Sequence, residues 1–201
     1  IPIARQEVAG TREEAVICAR RIGYPVAMKV DSPDIPHKTE AGGIRLNLNS
    51  DDEVGRAFAD IIENVRKYKP GALINGVAVQ EMLPEGTEVI IGVTRDPVFG
   101  PTIMFGLGGI FVEVLKDVSF RVAPVSRGDA EDMVREIKGS AVPEIMGLGP
   151  PADTKAIVDV ILKVSDMVTD YRDSIEELDI NPLIVYPRGV KAADAMLVAR
   201  K

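Results

Sequence analysis

The amino-acid sequence predicts an α+β protein built from two α/β lobes. Helical and strand patterns alternate over the first third of the chain, and a β-rich stretch then runs from about residue 87 to residue 124. Two helical patterns and a closing hairpin follow. Pro84 and Gly86 interrupt the pattern between the first two parts. We therefore expect an N-terminal lobe of residues 1–82 and a C-terminal lobe of residues 83–201.

Composition and charge exclude several classes of protein. The 201 residues carry a net charge of −7 and no basic cluster, which argues against nucleic acid as a partner. No apolar run approaches the roughly 20 residues of a membrane-spanning helix, so no membrane partner is expected. The single Cys18 excludes an intrachain disulfide and a cysteine metal site. The N-terminus shows no signal-peptide pattern and no initiator Met, which predicts an internal start and a cytoplasmic protein.

The first lobe is predicted to contain two helices and three strands. Thr11 and Glu14 form a capping-box pattern, and the apolar face that follows places Cys18 inside the lobe as a structural thiol. Ser50 and Glu53 form a second capping-box pattern, which opens a helix that continues to about residue 69. The strands are expected at 24–30, 44–48 and 76–82. Alternation predicts one apolar face in the second of these strands, formed by Ile44, Leu46 and Leu48.

The second lobe is predicted to begin with hairpins and to end with one. Residues 87–95 and 101–105 form the first hairpin, 106–109 form a flexible glycine turn, and 111–115 and 120–124 add further strands. Helices are expected at 129–138 and 153–171, joined by the loop 139–151. The chain then closes with strands at 177–186 and 190–199 around the turn YPRG.

The loop 32–43 carries the residues that indicate phosphate chemistry. It contains His37, the one histidine of the chain, together with Lys38 and the pair Gly42–Gly43. The preceding strand carries Lys29 among apolar residues, and a buried ammonium group needs a partner. The alternative for Lys29 is a position on an edge strand with its amine in water. Glycines at this point favour close approach of the backbone to a phosphate.

The terminal hairpin places three oxygen-bearing side chains together. If residues 186–189 form a four-residue loop, Val185 pairs with Val190 and Asn181 faces Asp194. Asp179 lies two residues from Asn181 and therefore on the same face. Carboxylates that lie so close repel each other unless a cation lies between them, and Mg²⁺ prefers such oxygen ligands. A register shift of one residue would separate them, and a solvent-exposed strand position is the alternative for each acid alone.

Five sequence blocks resemble one protein family over nearly the whole chain. Their order and spacing are similar to those of the ATP-grasp subunit of nucleoside-diphosphate-forming acyl-CoA synthetases, which are relatives of succinyl-CoA synthetase. A short N-terminal helical segment that usually precedes this start is missing. The blocks are GYPVAMKV, SPDIPHKTEAGGI, VQEMLPEGTEVIIGVTRDPVFGP, FGLGGIFVEVLKDVSFRVAP and ELDINPLIV.

This resemblance implies an ATP-grasp fold, with ADP or ATP bound between the two lobes. Lys29 matches the lysine that contacts the nucleotide phosphates, and Glu81 and Met82 match a hinge that reads the adenine through backbone groups. Glu88 matches the acidic residue near the ribose. Asn181 and Asp194 match the magnesium ligands, in agreement with the hairpin argument, and Asp179 fits an acidic position of the same motif.

The resemblance also implies a phosphoryl relay. The family forms a phosphohistidine on its CoA-binding subunit, and the loop that contains His37 and Lys38 resembles one with a second phosphorylatable histidine. A neutral imidazole is a nucleophile near pH 7. Glu113 and Arg121 match blocks of the family, where they either orient the histidine or phosphate or form an ion pair on a strand face. The alternative for His37 is a loop histidine bonded to the backbone.

The expected function is therefore the nucleotide half-reaction of an ADP-forming acid–CoA ligase with Mg²⁺. Acyl-CoA, ADP and phosphate are converted to a carboxylic acid, CoA and ATP. Because no part of the chain resembles a CoA-binding domain, the partner is expected to be an alpha subunit or fused domain that carries the phosphohistidine, in a hetero-oligomer. Two alternatives stay open: another ATP-grasp carboxylate ligase, and a noncatalytic nucleotide-sensing module of an acyltransferase.

Overall fold

The computed structural model describes residues 1–108, 117–137 and 152–200, and these residues form two compact units. Unit N comprises Ala4–Leu83, and unit C comprises Ile1–Ile3 together with Pro84–Lys201. Each unit combines an antiparallel sheet with helices, so the predicted α+β class is confirmed. No helix in the described ranges has the length and apolar character that crossing a lipid bilayer requires.

Unit N is a four-stranded sheet with two helices. Its elements are β1 (Gln6–Ala9), α1 (Arg12–Ile22), β2 (Val26–Asp31), β3 (Ile44–Leu48), α2 (Asp51–Tyr68) and β4 (Gly76–Glu81). The strand order is β1-β4-β2-β3. Alternate residues of β2 and β4, such as Met28 and Val79, pack with Ala19 of α1 and Ile61 of α2 in one buried cluster. This packing explains the apolar alternation of both strands, since one face of the sheet is covered.

The capping patterns of unit N predicted the start of the first helix in full and that of the second helix in part. Thr11 and Glu14 form both hydrogen bonds of the capping box, and Cys18 is buried as predicted. At the second helix, the Ser50 hydroxyl accepts from Glu53 N, but the Glu53 carboxylate accepts from Asn49 N at 2.7 Å. The sequence pattern therefore gave the correct start of α2 with one of the two expected capping bonds.

The predicted alternation of β3 is wrong, and β1 was not predicted. Leu46 is 53% exposed while Leu48 is buried, because the pairing register with β2 shifts within the strand. Asn47 adopts a left-handed backbone conformation with φ of 57° at this shift. β1 is a short edge strand that pairs only with β4. Short, half-exposed strands of this kind lack a period-2 pattern that sequence reading can detect.

In its described residues, unit C has a six-stranded sheet that is covered on one face by two helices. Its elements are β5 (Thr87–Asp96), β6 (Gly100–Leu107), β7 (Val118–Val122), α3 (Arg127–Glu136), α4 (Thr154–Asp170), β8 (Ile175–Val185), β9 (Val190–Ala192) and β10 (Ala195–Ala199). The order is β10-β8-β5-β6-β7, and β9 also pairs with β8. Ile91, Phe105 and Leu178 of the sheet pack with Met133 of α3 and Ile161 of α4.

Two predicted features of unit C need correction. Gly106 and Leu107 are not part of a flexible turn, because they continue β6 and pair with Val118 and Val89. The predicted last strand is divided into β9 and β10, which are separated at Ala193–Asp194. The expected strand 111–115 and the loop 139–151 lie outside the described residues.

Candidate functional site

Lys29 lies on an interior strand of unit N. β2 is paired on both sides, and Lys29 lies opposite Ala78 of β4 and Ile44 of β3. Its neighbours Met28 and Val30 point into the core, so Lys29 emerges half-buried on the other face of the sheet. The alternative of an edge-strand lysine is therefore wrong, and a role for Lys29 in phosphate binding stays a prediction.

The loop 32–43 is anchored to unit N at its first half. The Asp34 carboxylate accepts a hydrogen bond from Leu73 N at 2.7 Å and lies 3.4 Å from Lys69 Nζ. The hydrogen bond from Leu73, followed by the charge of Lys69, lowers the pKa of Asp34. Ile35 is 1% exposed and belongs to the core of the unit. These contacts anchor the first half of the loop to the body of unit N.

The second half of the loop folds into consecutive turns that present His37. The His37 carbonyl accepts from Ala41 N at 3.3 Å, and the Lys38 carbonyl accepts from Gly43 N at 2.8 Å. Ala41 is buried, whereas the His37 side chain is exposed and Lys38 is half-buried. The loop therefore holds the imidazole at the surface on a backbone that is hydrogen-bonded on both sides of it.

Gly42 and Gly43 are required by the local backbone. Gly42 has φ of +63°, a conformation in which an L side chain is strained. A Cβ at Gly43 would lie 2.7 Å from Val30 Cγ1, and the Gly43 carbonyl accepts from Val30 N at 2.8 Å. The close approach at Gly43 is thus to the protein's own strand β2. Contact of these glycines with a phosphate stays a prediction.

Glu81 and Met82 already use their backbone amides within unit N. Glu81 N donates to Arg5 O at 2.9 Å, and Met82 N donates to Pro25 O at 3.2 Å. The Glu81 carboxylate accepts from Arg5 N at 2.7 Å, and Arg5 Nη2 donates to Ile22 O at the end of α1. Reading of a nucleotide base by these two amides would therefore require exchange of existing hydrogen bonds. Arg5 was missed by sequence reasoning, since no local pattern links residues 76 positions apart.

The terminal hairpin of unit C brings together Asp179, Asn181 and Asp194. Val185 pairs with Val190, as the four-residue loop predicts, and Asn181 N donates to Asp194 O at 3.1 Å. The Asn181 side chain also hydrogen-bonds the Asp179 carboxylate. Register, turn length and face are those that the sequence predicted. A role of these residues as metal ligands stays a prediction.

Burial and neighbouring charges raise the pKa of Asp179. Desolvation is the largest cause, the charge of Glu177 is the next, and Asp194 adds a smaller contribution. Glu177 was missed as a member of this cluster, although its position two residues before Asp179 places it on the same face. Asp179 and Asp194 are half-buried and Asn181 is exposed, and carboxylate and amide oxygens of this kind are ligands that Mg²⁺ accepts.

The remaining predicted residues of unit C lie on strands. The Glu88 side chain is exposed on β5, and its carbonyl accepts from Gly108 N at 2.7 Å. Arg121 of β7 forms an ion pair with Glu136 of α3, with Nη1 and Oε2 at 3.1 Å. This contact raises the pKa of Arg121. It joins the strand to a helix, so it is not the strand-face ion pair expected as one alternative, and the predicted role of Arg121 stays a prediction. Glu113 lies outside the described residues, and its role stays a prediction.

Comparison with known proteins places the chain in a family. A family model for the ATP-grasp domain matches residues 1–198. The beta subunit of ADP-forming acetate–CoA ligase II from Pyrococcus furiosus is 50% identical over 204 residues, which cover 100% of this chain and 86% of the relative. Both matches extend over essentially the whole chain.

Two solved structures from Candidatus Korarchaeum cryptofilum have the same fold. A dinucleotide-forming acetyl-coenzyme A synthetase 1 in complex with coenzyme A, Ca-AMPCP and HgCl⁺ is 46% identical, with a TM-score of 0.95 and coverage of 100% of this chain and 87% of that one. A second structure of that enzyme, with coenzyme A and Mg-AMPPCP and its phosphohistidine segment pointing towards the nucleotide site, is 43% identical, with a TM-score of 0.82 and coverage of 100% and 86%. The chain belongs to the ATP-grasp family, in the group that contains the beta subunits of ADP-forming acetate–CoA ligases.

Proposed function

We propose that the chain is the nucleotide-binding subunit of an ADP-forming acid–CoA ligase. The overall reaction converts acyl-CoA, ADP and phosphate to a carboxylic acid, CoA and ATP, reversibly. The observation that carries the proposal is 50% identity, over the full chain, to the beta subunit of an ADP-forming acetate–CoA ligase. A TM-score of 0.95 to an acetyl-coenzyme A synthetase in complex with a nucleotide analogue supports it further.

The proposed step on this chain is transfer of a phosphoryl group between phosphohistidine and ADP. The phosphorus–nitrogen bond of the donor breaks, and the terminal oxygen of the ADP β-phosphate forms the new phosphorus–oxygen bond. Lys29 and Lys38 stabilise the charge on the transferred group, and Gly42 and Gly43 lie next to it. Glu81 and Met82 adjoin the base and Glu88 the ribose. Lys29 is half-buried on the strand that directly precedes the loop 32–43, and this position supports the assignment.

His37 is the proposed second phosphohistidine of the relay. Its imidazole attacks the phosphoryl group of the partner's phosphohistidine, takes the group, and transfers it to ADP. A neutral imidazole has the nucleophilic nitrogen that this exchange requires. Exposure of the side chain on an anchored loop supports the role, because a partner's segment can reach an imidazole there. Glu113 and Arg121 are proposed to orient the histidine or the phosphate.

Asn181 and Asp194, with Asp179, are the proposed residues that hold Mg²⁺. The oxygen donor set and the raised pKa of Asp179 fit a divalent cation. When bound, the ion neutralises negative charge on the nucleotide phosphates. The residues themselves provide the carboxylate and amide oxygens that hold it.

The partner in this proposal is a CoA-binding alpha subunit or a fused domain that carries a phosphohistidine. CoA and the acyl group reach the reaction through that partner, in a hetero-oligomer. The structure of the Korarchaeum enzyme with coenzyme A and a phosphohistidine segment supports this assignment. A cytoplasmic location belongs to the same proposal and is tested by fractionation of cells that produce the protein.

Phosphoryl transfer to His37 is the experiment that tests the function. The purified chain is incubated with γ-labelled ATP and Mg²⁺, with and without a CoA-binding alpha subunit, and assayed for acid-labile, base-stable label. Because His37 is the single histidine, we expect label on the wild type and none on His37→Ala. Thr39→Ala, at an exposed position of the same loop, is the control and should retain the label.

Two results would count against this function. Nucleotide binding without any label, even in the presence of the alpha subunit, would favour a nucleotide sensor. Full ligase activity of His37→Ala would favour an ATP-grasp ligase that joins its substrates through an acyl phosphate without a histidine relay.

A further inference from the structure

Three arginines line a cavity at one end of the sheet of unit C. The cavity has a volume of about 430 Å³ and lies beside the turn that joins β5 to β6. Arg95 comes from β5, Arg172 follows α4, and Arg200 follows β10, while Glu176 of β8 completes the wall. In a chain whose net charge is −7, this cavity is a local concentration of positive charge.

Arg95 is the least exposed of the three arginines, since Arg172 and Arg200 are exposed. Its side chain is 18% exposed, and its Nε and Nη2 atoms are shielded from solvent without a hydrogen-bond partner in the described part of the chain. Glu176 Oε2 is 4.0 Å from Nε, which is too far for a hydrogen bond. A charged donor that is buried without an acceptor is unfavourable, so an acceptor that enters the cavity would remove this cost.

The cavity is lined by three arginines and two carboxylates, Asp96 and Glu176, so the positive charges exceed the negative charges by one. Asp96 Oδ1 accepts hydrogen bonds from Val98 N and Phe99 N, both at 2.8 Å, so this carboxylate is engaged in the turn. Across the described ranges, Arg172 and Arg200 form no ion pair. Glu176 is therefore the lining carboxylate that is not engaged by backbone N–H groups of the turn.

Arg172 lies against the backbone of β6 at Gly100. Gly100 has φ of +85°, and a Cβ on it would lie 3.2 Å from Arg172 Nη2. The guanidinium group therefore packs directly on the bare backbone of β6. A side chain at Gly100 would press the guanidinium group away from this position.

The cavity and the acidic cluster lie on opposite faces of one sheet. Val93 of β5 pairs with Leu178 on the face that the helices cover, and Arg95 continues that row. Gly92 pairs with Asp179, whose side chain therefore lies on the other face. The arginine cavity is thus separate from the residues proposed to hold Mg²⁺.

We propose that this cavity binds a phosphate group, carried by inorganic phosphate or by a small phosphate monoester. Guanidinium groups present paired N–H donors that match the oxygens of phosphate, and several arginines together favour a doubly charged group. The volume is within the range of about 300–1,000 Å³ for small-molecule sites, so it has room for more than the phosphate itself. This site is additional to the proposed nucleotide site.

Phosphate binding, followed by NMR of the arginine side chains, tests the site. The ¹⁵N-labelled chain is saturated with Mg-ADP and titrated with inorganic phosphate in one experiment and with glycerol 3-phosphate in another. We expect a saturable shift of the Arg95 Nε–Hε resonance with at least one of the two probes. The probe that binds more tightly identifies the source of the phosphate group. Absence of a saturable shift with either probe would overturn the proposal.

Variants separate a specific site from general attraction. Arg172→Gln should weaken binding about tenfold, as expected for the loss of a charge-assisted hydrogen bond, and Arg95→Gln at least as much. Arg56→Gln, on the exposed side of α2, should bind as the wild type does. Glu176→Gln should strengthen binding, since its carboxylate competes with the anion.

Equal weakening by Arg56→Gln, or no effect of Arg172→Gln, would contradict the site. ADP binding should be unchanged in every variant, so this test is independent of the proposed function.

Discussion

The cluster on the terminal hairpin shows how single residues determine the properties of unit C. Asp179, Glu177 and Asp194 are close enough for their charges to raise the pKa of Asp179, and Asn181 offsets the effect through one hydrogen bond. Unit C is less stable while these carboxylates repel one another than when a cation lies among their oxygens. Relief of this repulsion is the electrostatic basis of the cation site proposed for these residues.

Replacement of Asp194 by Asn should weaken the binding of Mg-ADP. Loss of one anionic oxygen at a magnesium site is expected to reduce affinity about tenfold or more, whereas metal-free ADP should bind nearly as before. Calorimetric titration with and without Mg²⁺ measures this difference. Asp173→Asn, at an exposed position of the α4–β8 connection, is the matched control. Equal affinities of wild type and Asp194→Asn for Mg-ADP would exclude Asp194 as a ligand.

Residue positions could be predicted from the sequence where a short-range rule determines them. The pairing of Asn181 with Asp194 follows from strand alternation and a four-residue turn, and both hold in the structure. The ion pair between Arg5 and Glu81, and the gathering of Arg95, Arg172 and Arg200, join distant segments. No periodicity in one chain contains that information, because it depends on how separate elements pack.

At the scale of elements, the start of α4 is tied to the terminal hairpin by one side chain. Asp153 accepts hydrogen bonds from Ala156 N at 3.0 Å, as the N-cap of the helix, and from Gly189 N at 2.8 Å. Gly189 has φ of +80° in the turn between β8 and β9. The carboxylate therefore connects the helix that covers the sheet to the hairpin that carries the acidic cluster.

Asp153→Ala should destabilise unit C at neutral pH, and the difference from wild type should narrow in acid. The hydrogen bonds from Gly189 and Ala156 lower the pKa of Asp153. Its stabilisation is therefore complete above the pKa of the unfolded chain, about 3.9, and is lost as the pH falls through the lower folded-state pKa. Urea unfolding from pH 7 to pH 2.5 measures this. Asp166→Ala, exposed within the same helix, should be neutral or slightly stabilising at every pH. A difference that stays constant down to pH 2.5 would contradict the capping role.

Elements themselves were predicted best where capping and amphipathic periodicity agree. α1 begins at its capping box and ends before Gly23, and α2 begins directly after Ser50 as its capping pattern predicts. β3 deviates because the register shift at Asn47 turns Leu46 outward. β9 and β10 divide at Asp194 because β8 is irregular where it passes Asn181 and Pro182. Irregularities of this kind depend on the neighbouring strand and leave little trace in the sequence.

At the scale of the whole molecule, each unit has a buried core of its own. The core of unit N contains residues from Ala9 to Val79, and the core of unit C contains residues from Val89 to Ala192. The α+β class and the order of elements were predictable because each core is built from neighbouring parts of the chain. Each core combines one sheet face with two described helices, which is a common way for a mixed unit to exclude water.

Separate cores predict that a cavity in one unit raises hydrogen exchange in that unit alone. Ile61→Ala removes a fully buried side chain of α2 and should cost about 2–5 kcal/mol. Exchange measured by mass spectrometry should then rise across residues 4–83 while peptides from residues 84–200 keep their protection. Ile161→Ala in α4, equally buried, is the matched variant and should give the reverse pattern. If either variant accelerated exchange evenly along the chain, the two cores would unfold together, and a ligand bound to one unit would then stabilise the other to the same extent.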